Sequence, residues 1–398
     1  MSGSAWRGGR RRQRLATCLV AVGALAAVPA AAARTAGVAA APSPASVDLL
    51  GVSCASAGGC VAVGEVVDPT STAGLVERWN GTGWASAAIV RVPSFPFVIL
   101  EGVSCVRGGR CFAAGYAQNR TGSHAVLAVG AGARWSLMRG AAAGSSAALL
   151  GIACAGPDRC LAVGRRTDAL GNERPLAELW NGGTWSLSAP AQVRGAVWSR
   201  LTAVACPSVS RCAVTGTYQA ALAAGPGAAS MAEWWQGGHW RATPVAAPLT
   251  GVACPTASTC LALGESRSGA GRADPVLVRS SGGGWTTVGD RTRPRAADAG
   301  VAALACPSAD ACLAVGARAV GSRGNEAPSS ERWDGARWTV LPMPGPVGSD
   351  DVLVGVSCSA TSRCVAVGTY QRGAREQGLT ELWDGRSWAW GSVSARPG

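Results

Sequence analysis

Residues able to hold a metal or a cofactor are scarce in this chain. It has no lysine, two histidines (His124 and His239) and three tyrosines (Tyr116, Tyr218 and Tyr370), all dispersed along 398 residues. Imidazole and phenolate metal sites need several such side chains in one place. No Ser–His–Asp arrangement, phosphate-binding loop or zinc motif is present either. The sequence therefore predicts no metal, no cofactor and no catalytic residue.

The basic charge is carried by arginine alone, which is typical of a high-GC bacterial sequence rich in alanine and glycine. Six arginines precede Thr35, where no acid occurs, so the formal net charge of +13 less these six leaves +7 for the rest. The remaining arginines are scattered, often near Asp or Glu. A nucleic-acid-binding protein concentrates its charge in one stripe with interleaved aromatics. No nucleic-acid partner is therefore expected.

Long apolar runs are confined to the first residues of the chain. Five arginines lie within residues 1–14, an apolar run spans 15–28, and small residues follow at 30–33. A charged start, an apolar centre and an A-x-A-like end predict a signal peptide over residues 1–33, followed by a flexible linker over 34–47. An uncleaved anchor and a twin-arginine export route at Arg11 and Arg12 stay open as alternatives. The mature protein is expected to be secreted, without membrane insertion.

Cysteine is regularly spaced. Seven pairs stand six positions apart, and successive pairs recur every 48 to 52 residues. Loss of the signal peptide removes Cys18 and leaves an even number, which in an exported protein indicates disulfides; metal sites usually use shorter spacings. The predicted disulfides are Cys54–Cys60, Cys105–Cys111, Cys154–Cys160, Cys206–Cys212, Cys254–Cys260, Cys306–Cys312 and Cys358–Cys364.

Each repeat of about 50 residues has the pattern of four short strands. In the first repeat these are 49–54, 60–64, 75–79 and 84–90, separated by Gly-, Asn- and Pro-containing turns. The first two strands form a hairpin that brings the two cysteines opposite each other. We predict an all-β, seven-bladed β-propeller over residues 48–398, with four antiparallel strands and one disulfide hairpin per blade. Its repeats begin near residues 48, 99, 149, 200, 248, 300 and 352.

Tryptophan and glutamate recur with the same period. Twelve of the 16 tryptophans occupy repeat positions, which favours packing between blades over a sugar-stacking platform. A glutamate stands two residues before the first tryptophan of five repeats, which favours a repeated structural link to an arginine or backbone donor over a glycosidase pair of acids. These glutamates are Glu77, Glu178, Glu233, Glu331 and Glu381.

The order GVSC, ASAGG, CVAVG, variable loop, LVERW, NGTG and Trp84 resembles the repeat of kelch-like propellers, the group that includes the galactose oxidase propeller. Two departures are a single glycine in place of a doublet (Gly64 in the first repeat) and the added cysteine pair. The resemblance implies that the first strand of each blade lines a central channel. It also implies that the loops after the second strand and the blade-to-blade connections form one face, usually the binding face. The ring closes either by pairing of residues 45–50 with the last blade or by blade packing alone.

The resemblance and the irregular loops predict a binding rim on that face. Aromatic and arginine side chains suit such a surface. The candidate rim residues are Tyr116, Arg165, Tyr218, Arg318, Tyr370 and Arg372.

The expected protein is a secreted, non-catalytic, monomeric recognition or scaffold propeller. It binds a protein or a glycan at the bacterial cell envelope or outside the cell. The alternative is a carbohydrate-active enzyme, glycosidase- or sialidase-like, with an acidic site built from several blades. Acids gathered at one channel mouth favour the enzyme, and a rim of Arg, Tyr and small residues favours the binder. The candidate acids are Asp68, Asp168, Glu173 and Glu326.

Overall fold

The computed structural model describes residues 46–56, 58–141, 146–220, 229–245, 249–267, 273–281, 284–288, 299–320, 325–345 and 350–392. The predicted signal peptide (1–33) and residues 34–45 of the predicted linker lie outside these ranges. Within the described part of the chain, no helix has the length and apolar character needed to span a membrane.

The regular elements of the described residues are all β-strands, as the short apolar segments bounded by turns predict. The described residues form 28 strands, in seven consecutive sets of four that we call units 1 to 7. Their bounds are β1 Ser46–Ser56, β2 Gly59–Val67, β3 Thr72–Trp79 and β4 Trp84–Val90; β5 Phe97–Cys105, β6 Cys111–Asn119, β7 Gly122–Ala131 and β8 Arg134–Met138; β9 Ala147–Gly156, β10 Arg159–Thr167, β11 Glu173–Trp180 and β12 Trp185–Ser188; β13 Ala196–Ser208, β14 Arg211–Ala220, β15 Ala229–Gln236 and β16 His239–Val245; β17 Leu249–Ala253, β18 Thr259–Arg267, β19 Ala273–Ser281 and β20 Gly284–Val288; β21 Ala299–Ser308, β22 Ala311–Val320, β23 Asn325–Trp333 and β24 Trp338–Leu341; β25 Val352–Ala360, β26 Arg363–Arg372, β27 Arg375–Trp383 and β28 Trp388–Ser392.

Hydrogen bonding divides these strands into six sheets, not seven. Units 3 to 7 are separate four-stranded antiparallel blades, whereas β1–β8 form one eight-stranded sheet. The prediction of seven separate blades is wrong in this respect. The Thr72 N–H donates to the Pro96 carbonyl at 2.8 Å, and this bond pairs β3 with β5 in parallel at Thr72 and Phe97. Between units 2 and 3, the equivalent junction is a single 2.7 Å hydrogen bond from Ser146 N–H to Ser123 O, without a strand pair.

The first strands of the seven units follow one another in a closed circle. Each contacts the next in the order β1, β5, β9, β13, β17, β21 and β25, and β25 contacts β1. Small residues allow this close approach: a Cβ added to Gly51 would lie 2.9 Å from the Glu101 carbonyl oxygen, and one added to Gly355 would lie 3.5 Å from the Gly51 Cα. The circle is therefore closed by packing of β1 against β25. In the described residues β1 pairs in a sheet with β2 alone.

A serine hydroxyl repeats at three of these contacts. Ser53 and Ser104 accept hydrogen bonds from the N–H groups of Cys105 and Cys154, the first cysteines of the following units, at 2.9 Å each. Ser357 of unit 7 accepts the same bond from Cys54 of unit 1 at 3.0 Å. The last unit therefore contacts the first in the way that units 1 to 3 contact each other.

All seven predicted disulfides are present within the hairpins. The Cα atoms of each pair lie 3.9–4.1 Å apart. In unit 1, Cys54 on β1 stands directly opposite Cys60 on β2, as the hairpin prediction requires. Seven disulfides in one chain indicate an oxidising environment such as the outside of the cell.

The tryptophans pack within and between units, which confirms their structural role. The two repeat tryptophans stand directly opposite each other across the third and fourth strands, as in Trp180 and Trp185, whose ring centroids lie 5.5 Å apart. Trp180 also contacts Phe112 of unit 2, with centroids 6.1 Å apart. Burying one large aromatic surface against a neighbouring unit stabilises the blade interface.

The repeated glycine lies within the second strand, as Gly164 does in β10, and is required by the close backbone of the first strand. A Cβ on Gly164 would collide with the Ala148 carbonyl oxygen and lie 2.8 Å from the Leu149 Cα. We expect Gly164→Ala to lower the free energy of unfolding by about 3 kcal/mol because the rigid backbone must shift. The control is Gly156→Ala, where nothing lies within 4 Å of the added Cβ. Urea unfolding curves of the two variants check this, and equal midpoints would contradict it.

Candidate binding rim

Strand direction places two kinds of loop on one face of the molecule. In unit 1, Val67 at the end of β2 pairs with Ser46 at the start of β1 and with Thr72 at the start of β3. The loops between second and third strands and the connections into each first strand therefore share this face, which we call the rim face. The cysteine turns and the tight tryptophan turns lie at the opposite ends of the strands.

The six predicted rim residues follow the repeated glycine and belong to five different units. Arg318 and Arg372 are exposed, Tyr116 and Tyr218 are half-buried, and Tyr370 is only 6% exposed. The Tyr370 ring packs edge-on against Trp390, with centroids 6.2 Å apart. Arg165 takes part in a network of side chains. The ligand-binding role of the six remains a prediction.

The network around Arg165 joins units 3 and 4. Arg165 Nη1 on β10 lies 3.1 Å from Glu173 Oε1 at the start of β11. Arg200 Nη1 on β13 lies 3.7 Å from Glu173 Oε2. One carboxylate thus stands between two guanidinium groups from neighbouring units, and each of the three side chains is partly exposed to solvent.

A third ion pair anchors the adjoining loop. Arg174 Nε lies 2.7 Å from Asp168 Oδ2, while Asp168 Oδ1 accepts the N–H groups of Leu170 and Asn172 at 2.9 Å each. The backbone hydrogen bond from Asn172, followed by that from the Arg174 side chain, lowers the pKa of Asp168. Arg174 Nη1 also donates to the Val197 carbonyl at 3.2 Å. The loop of unit 3 is thereby fastened to the start of β13 in unit 4.

Trp198 completes the network, and the sequence repeat gave no reason to select it. A register shift between Ala196 and Trp198 lies at the start of β13, ahead of the shift at Leu201 that has counterparts in the other first strands. The Trp198 indole N–H donates to Gln219 Oε1 at 2.6 Å, and the Arg200 guanidinium carbon lies 5.3 Å from the ring centroid. Bulges of this kind re-aim side chains near functional sites. The available signal was that Trp198 is one of the few tryptophans outside the repeat.

We call Arg165, Asp168, Glu173, Arg174, Trp198 and Arg200 the junction cluster. Three ion pairs, one cation–π contact and a hydrogen bond to Val197 hold its side chains. Such a surface suits the recognition of a polar or charged ligand.

The four candidate acids of the enzymatic alternative belong to three different units. Asp168 and Glu173 form ion pairs in unit 3, and Asp68 belongs to unit 1. Glu326 lies in unit 6, where burial and then the charge of Asp350 raise its pKa. Among the described residues, no group of three or more His, Cys, Asp or Glu side chains has an arrangement able to hold a metal ion.

The repeated glutamates are buried between units. Glu178 Oε2 accepts the Ala141 N–H at 2.6 Å, and Glu233 Oε2 accepts the Ala191 N–H at 3.2 Å. Ala141 and Ala191 lie in the connections that enter units 3 and 4. The predicted link to a backbone donor is therefore confirmed for these two.

Two other glutamates have no such donor among the described residues. Neither carboxylate oxygen of Glu77 or Glu381 has a hydrogen-bond partner among the described residues, and both side chains are fully buried. Burial raises the pKa of Glu77 to about 7 and that of Glu381 to about 8. Burial also raises the pKa of Glu233 to about 8, against a lowering by the Ala191 hydrogen bond.

Comparison with known proteins supports the fold alone. No protein-family model and no curated protein matches the chain. Among solved structures, the β-propeller domain of the Trilobed protease from Pyrococcus furiosus is 10% identical, with a TM-score of 0.54 over 89% of this chain and 100% of that one. An ulvan lyase of polysaccharide lyase family PL25, bound to -[GlcA(1-4)Rha3S]-, is 11% identical, with a TM-score of 0.51 over 84% and 92%.

A third solved structure belongs to a longer chain. The Pyrococcus horikoshii acylaminoacyl peptidase is 11% identical, with a TM-score of 0.51 over 87% of this chain and 52% of that one. This chain therefore spans about half the length of the peptidase. Topology and comparisons together define an all-β propeller with four-stranded antiparallel blades and disulfide-bonded hairpins. The matched structures come from a protease, a polysaccharide lyase and a peptidase at 10–11% identity, so the fold does not determine the activity.

Proposed function

We propose that this protein is a secreted, non-catalytic recognition propeller that binds a protein or a glycan at the bacterial cell envelope or outside the cell. The observation that carries the proposal is the junction cluster. It joins two units on the rim face, where the loops vary most in length and sequence.

We also propose that the propeller has seven kelch-like blades. Each unit has its own four strands and its own disulfide, and among the described residues the sheets of units 1 and 2 are joined by the strand pair at Thr72 and Phe97 alone. Counting the eight-stranded sheet as two blades agrees with the seven sequence repeats. The predicted signal peptide and the disulfides support secretion.

Charge pairing favours recognition over hydrolysis. A glycosidase needs one carboxylic acid that holds a proton near neutral pH. Asp168, with its lowered pKa, is suited to stay ionised, and the Glu173 carboxylate forms ion pairs with Arg165 and Arg200. Glu326, whose pKa is raised by burial, lies in a different unit. The alternative, a glycosidase- or sialidase-like enzyme with an acidic site built from several blades, is tested by turnover of any retained glycan.

A glycan array probed with the oxidised full-length protein, followed by a pull-down from envelope extracts, tests the proposal. We expect selective retention of a glycan class or of a protein. Arg165→Gln combined with Arg200→Gln should weaken that retention by about tenfold, because both guanidinium groups are lost from the rim. The control is Arg332→Gln, which removes an exposed arginine of unit 6. A blank array together with an empty pull-down would contradict the proposal.

A further inference from the structure

We propose that the junction cluster, together with Arg166, binds an anionic glycan bearing carboxylate or sulfate groups. This inference rests on the proposed recognition function and names the ligand class of the same site. Neutral glycans and proteins are the competing ligand classes, and the experiment below separates them.

Positive charge is in excess over negative charge at this site. The segments 165–174 and 194–200 carry five arginines and two acids, Asp168 and Glu173. Arg165 and Arg200 share the single carboxylate of Glu173, and Asp168 is engaged by Arg174. Each guanidinium group has five N–H donors, so most donors of the site are left without a carboxylate.

Arg166 lies beside another positive charge. It stands directly opposite Arg174 in the β10–β11 pairing, and like charges at directly opposed positions destabilise a sheet. The Asp168 carboxylate balances the positive charge of Arg174 through their ion pair. The Arg166 side chain is exposed and makes no hydrogen bond or ion pair within the described part of the chain. A bound anion would compensate this charge, and guanidinium groups bind carboxylate and sulfate oxygens through paired N–H donors.

Trp198 adds an aromatic surface beside these arginines. Its ring is half-buried, so part of it stays at the surface, and the hydrogen bond to Gln219 limits its rotation. The chain bulges at Val197 just before it, and Arg174 holds that bulge through the Val197 carbonyl. An indole fixed beside several arginines presents an apolar ring and anion-binding donors to one ligand. A sugar ring that bears an acidic group has both complementary features.

Biolayer interferometry with the oxidised full-length protein tests this inference on three immobilised probes: dextran sulfate, polygalacturonate and neutral dextran. We expect binding to at least one anionic probe to be at least about tenfold tighter than binding to dextran. We also expect binding to weaken as sodium chloride is raised, because salt screens exposed charges. Preference for dextran sulfate identifies sulfate as the recognised group, and preference for polygalacturonate identifies carboxylate.

Matched variants localise the binding. Trp198→Ala and Arg166→Gln should each weaken binding by about tenfold, because stacking and a charge-assisted contact are lost. The controls, Trp390→Ala and Arg332→Gln, remove an exposed tryptophan and an exposed arginine of other units and should bind like the parent protein. Thermal melts establish that all four variants are folded.

Three results would overturn the inference: no binding to any probe, equal binding to dextran and the anionic probes, or unchanged binding by both Trp198→Ala and Arg166→Gln. If the glycan array or the pull-down still yields a neutral glycan or a protein, the recognition function stands and this ligand class fails. If those are blank as well, both proposals fail.

Discussion

Complete reduction of the seven disulfides is expected to unfold the protein near physiological temperature. Each bridge closes a loop of five residues, which is worth about 2 kcal/mol in the chain-entropy model, or roughly 14 kcal/mol for seven bridges. Domains of this kind have a total stability of about 5–15 kcal/mol.

Differential scanning calorimetry with and without a phosphine reductant measures this effect. Alkylation and mass spectrometry should show that each cysteine pair is protected before reduction and labelled after it. The removal of one bridge, by Cys358→Ala with Cys364→Ala, should lower the free energy of unfolding by about 2 kcal/mol. An unchanged melting temperature in a fully alkylated sample would contradict the expectation.

The second large effect is a gain in stability when a buried glutamate is neutralised. Burial raises the pKa of Glu381 to about 8 in the folded state, from an ordinary value of 4.5. The folded state therefore binds a proton that the unfolded state has lost, and stability falls as pH rises from about 4.5 to about 8. Glu381→Gln should raise the free energy of unfolding by about 1–3 kcal/mol at pH 9 and leave it unchanged at pH 4.

Glu178→Gln is the matched control. Glu178 is equally buried, but its carboxylate accepts the Ala141 N–H at 2.6 Å. Replacing the carboxylate with an amide disturbs this hydrogen bond, so we expect Glu178→Gln to lower stability at pH 9. Chemical unfolding of both variants at pH 4 and pH 9 checks the pair. A loss of stability in Glu381→Gln at pH 9 would contradict this account of the buried carboxylate.

The contrast between these two glutamates explains what the sequence predicted and what it did not. A repeated glutamate two residues before tryptophan predicted a structural link, and Ala141 and Ala191 provide it in units 3 and 4. The connection into unit 7 contains Pro342 and Pro344, which have no N–H to donate. A donor of this kind depends on the length and composition of an irregular connection, which a repeat pattern does not describe.

The strands and disulfides follow from local spacing, whereas sheet boundaries do not. Cysteines six positions apart in a hairpin predict their own pairing, because the turn leaves them opposite each other. The merging of the sheets of units 1 and 2 depends on one hydrogen bond between Thr72 and Pro96. The seven-sheet prediction failed at that bond, since the periodic pattern contains no information about a single contact between blades.

The candidate rim was predictable in part. The position of Arg165 after the repeated glycine placed it on the rim face, and its ion pair with Glu173 followed from the structure alone. Tyr370 has the same kind of position, yet its ring packs against Trp390 and is almost fully buried. Trp198 was not selected, because the one-residue shift at the start of β13 has no sequence signature beyond a tryptophan outside the repeat.

The central claim is that ligand recognition takes place where units 3 and 4 meet on the rim face. Hydrogen–deuterium exchange of the oxidised full-length protein, with and without dextran sulfate, tests it most directly. We predict slower exchange at the end of β10, the start of β11 and the start of β13 when the probe is bound. Unchanged exchange in these segments, or slower exchange confined to the cysteine turns and tryptophan turns of the opposite face, would contradict it.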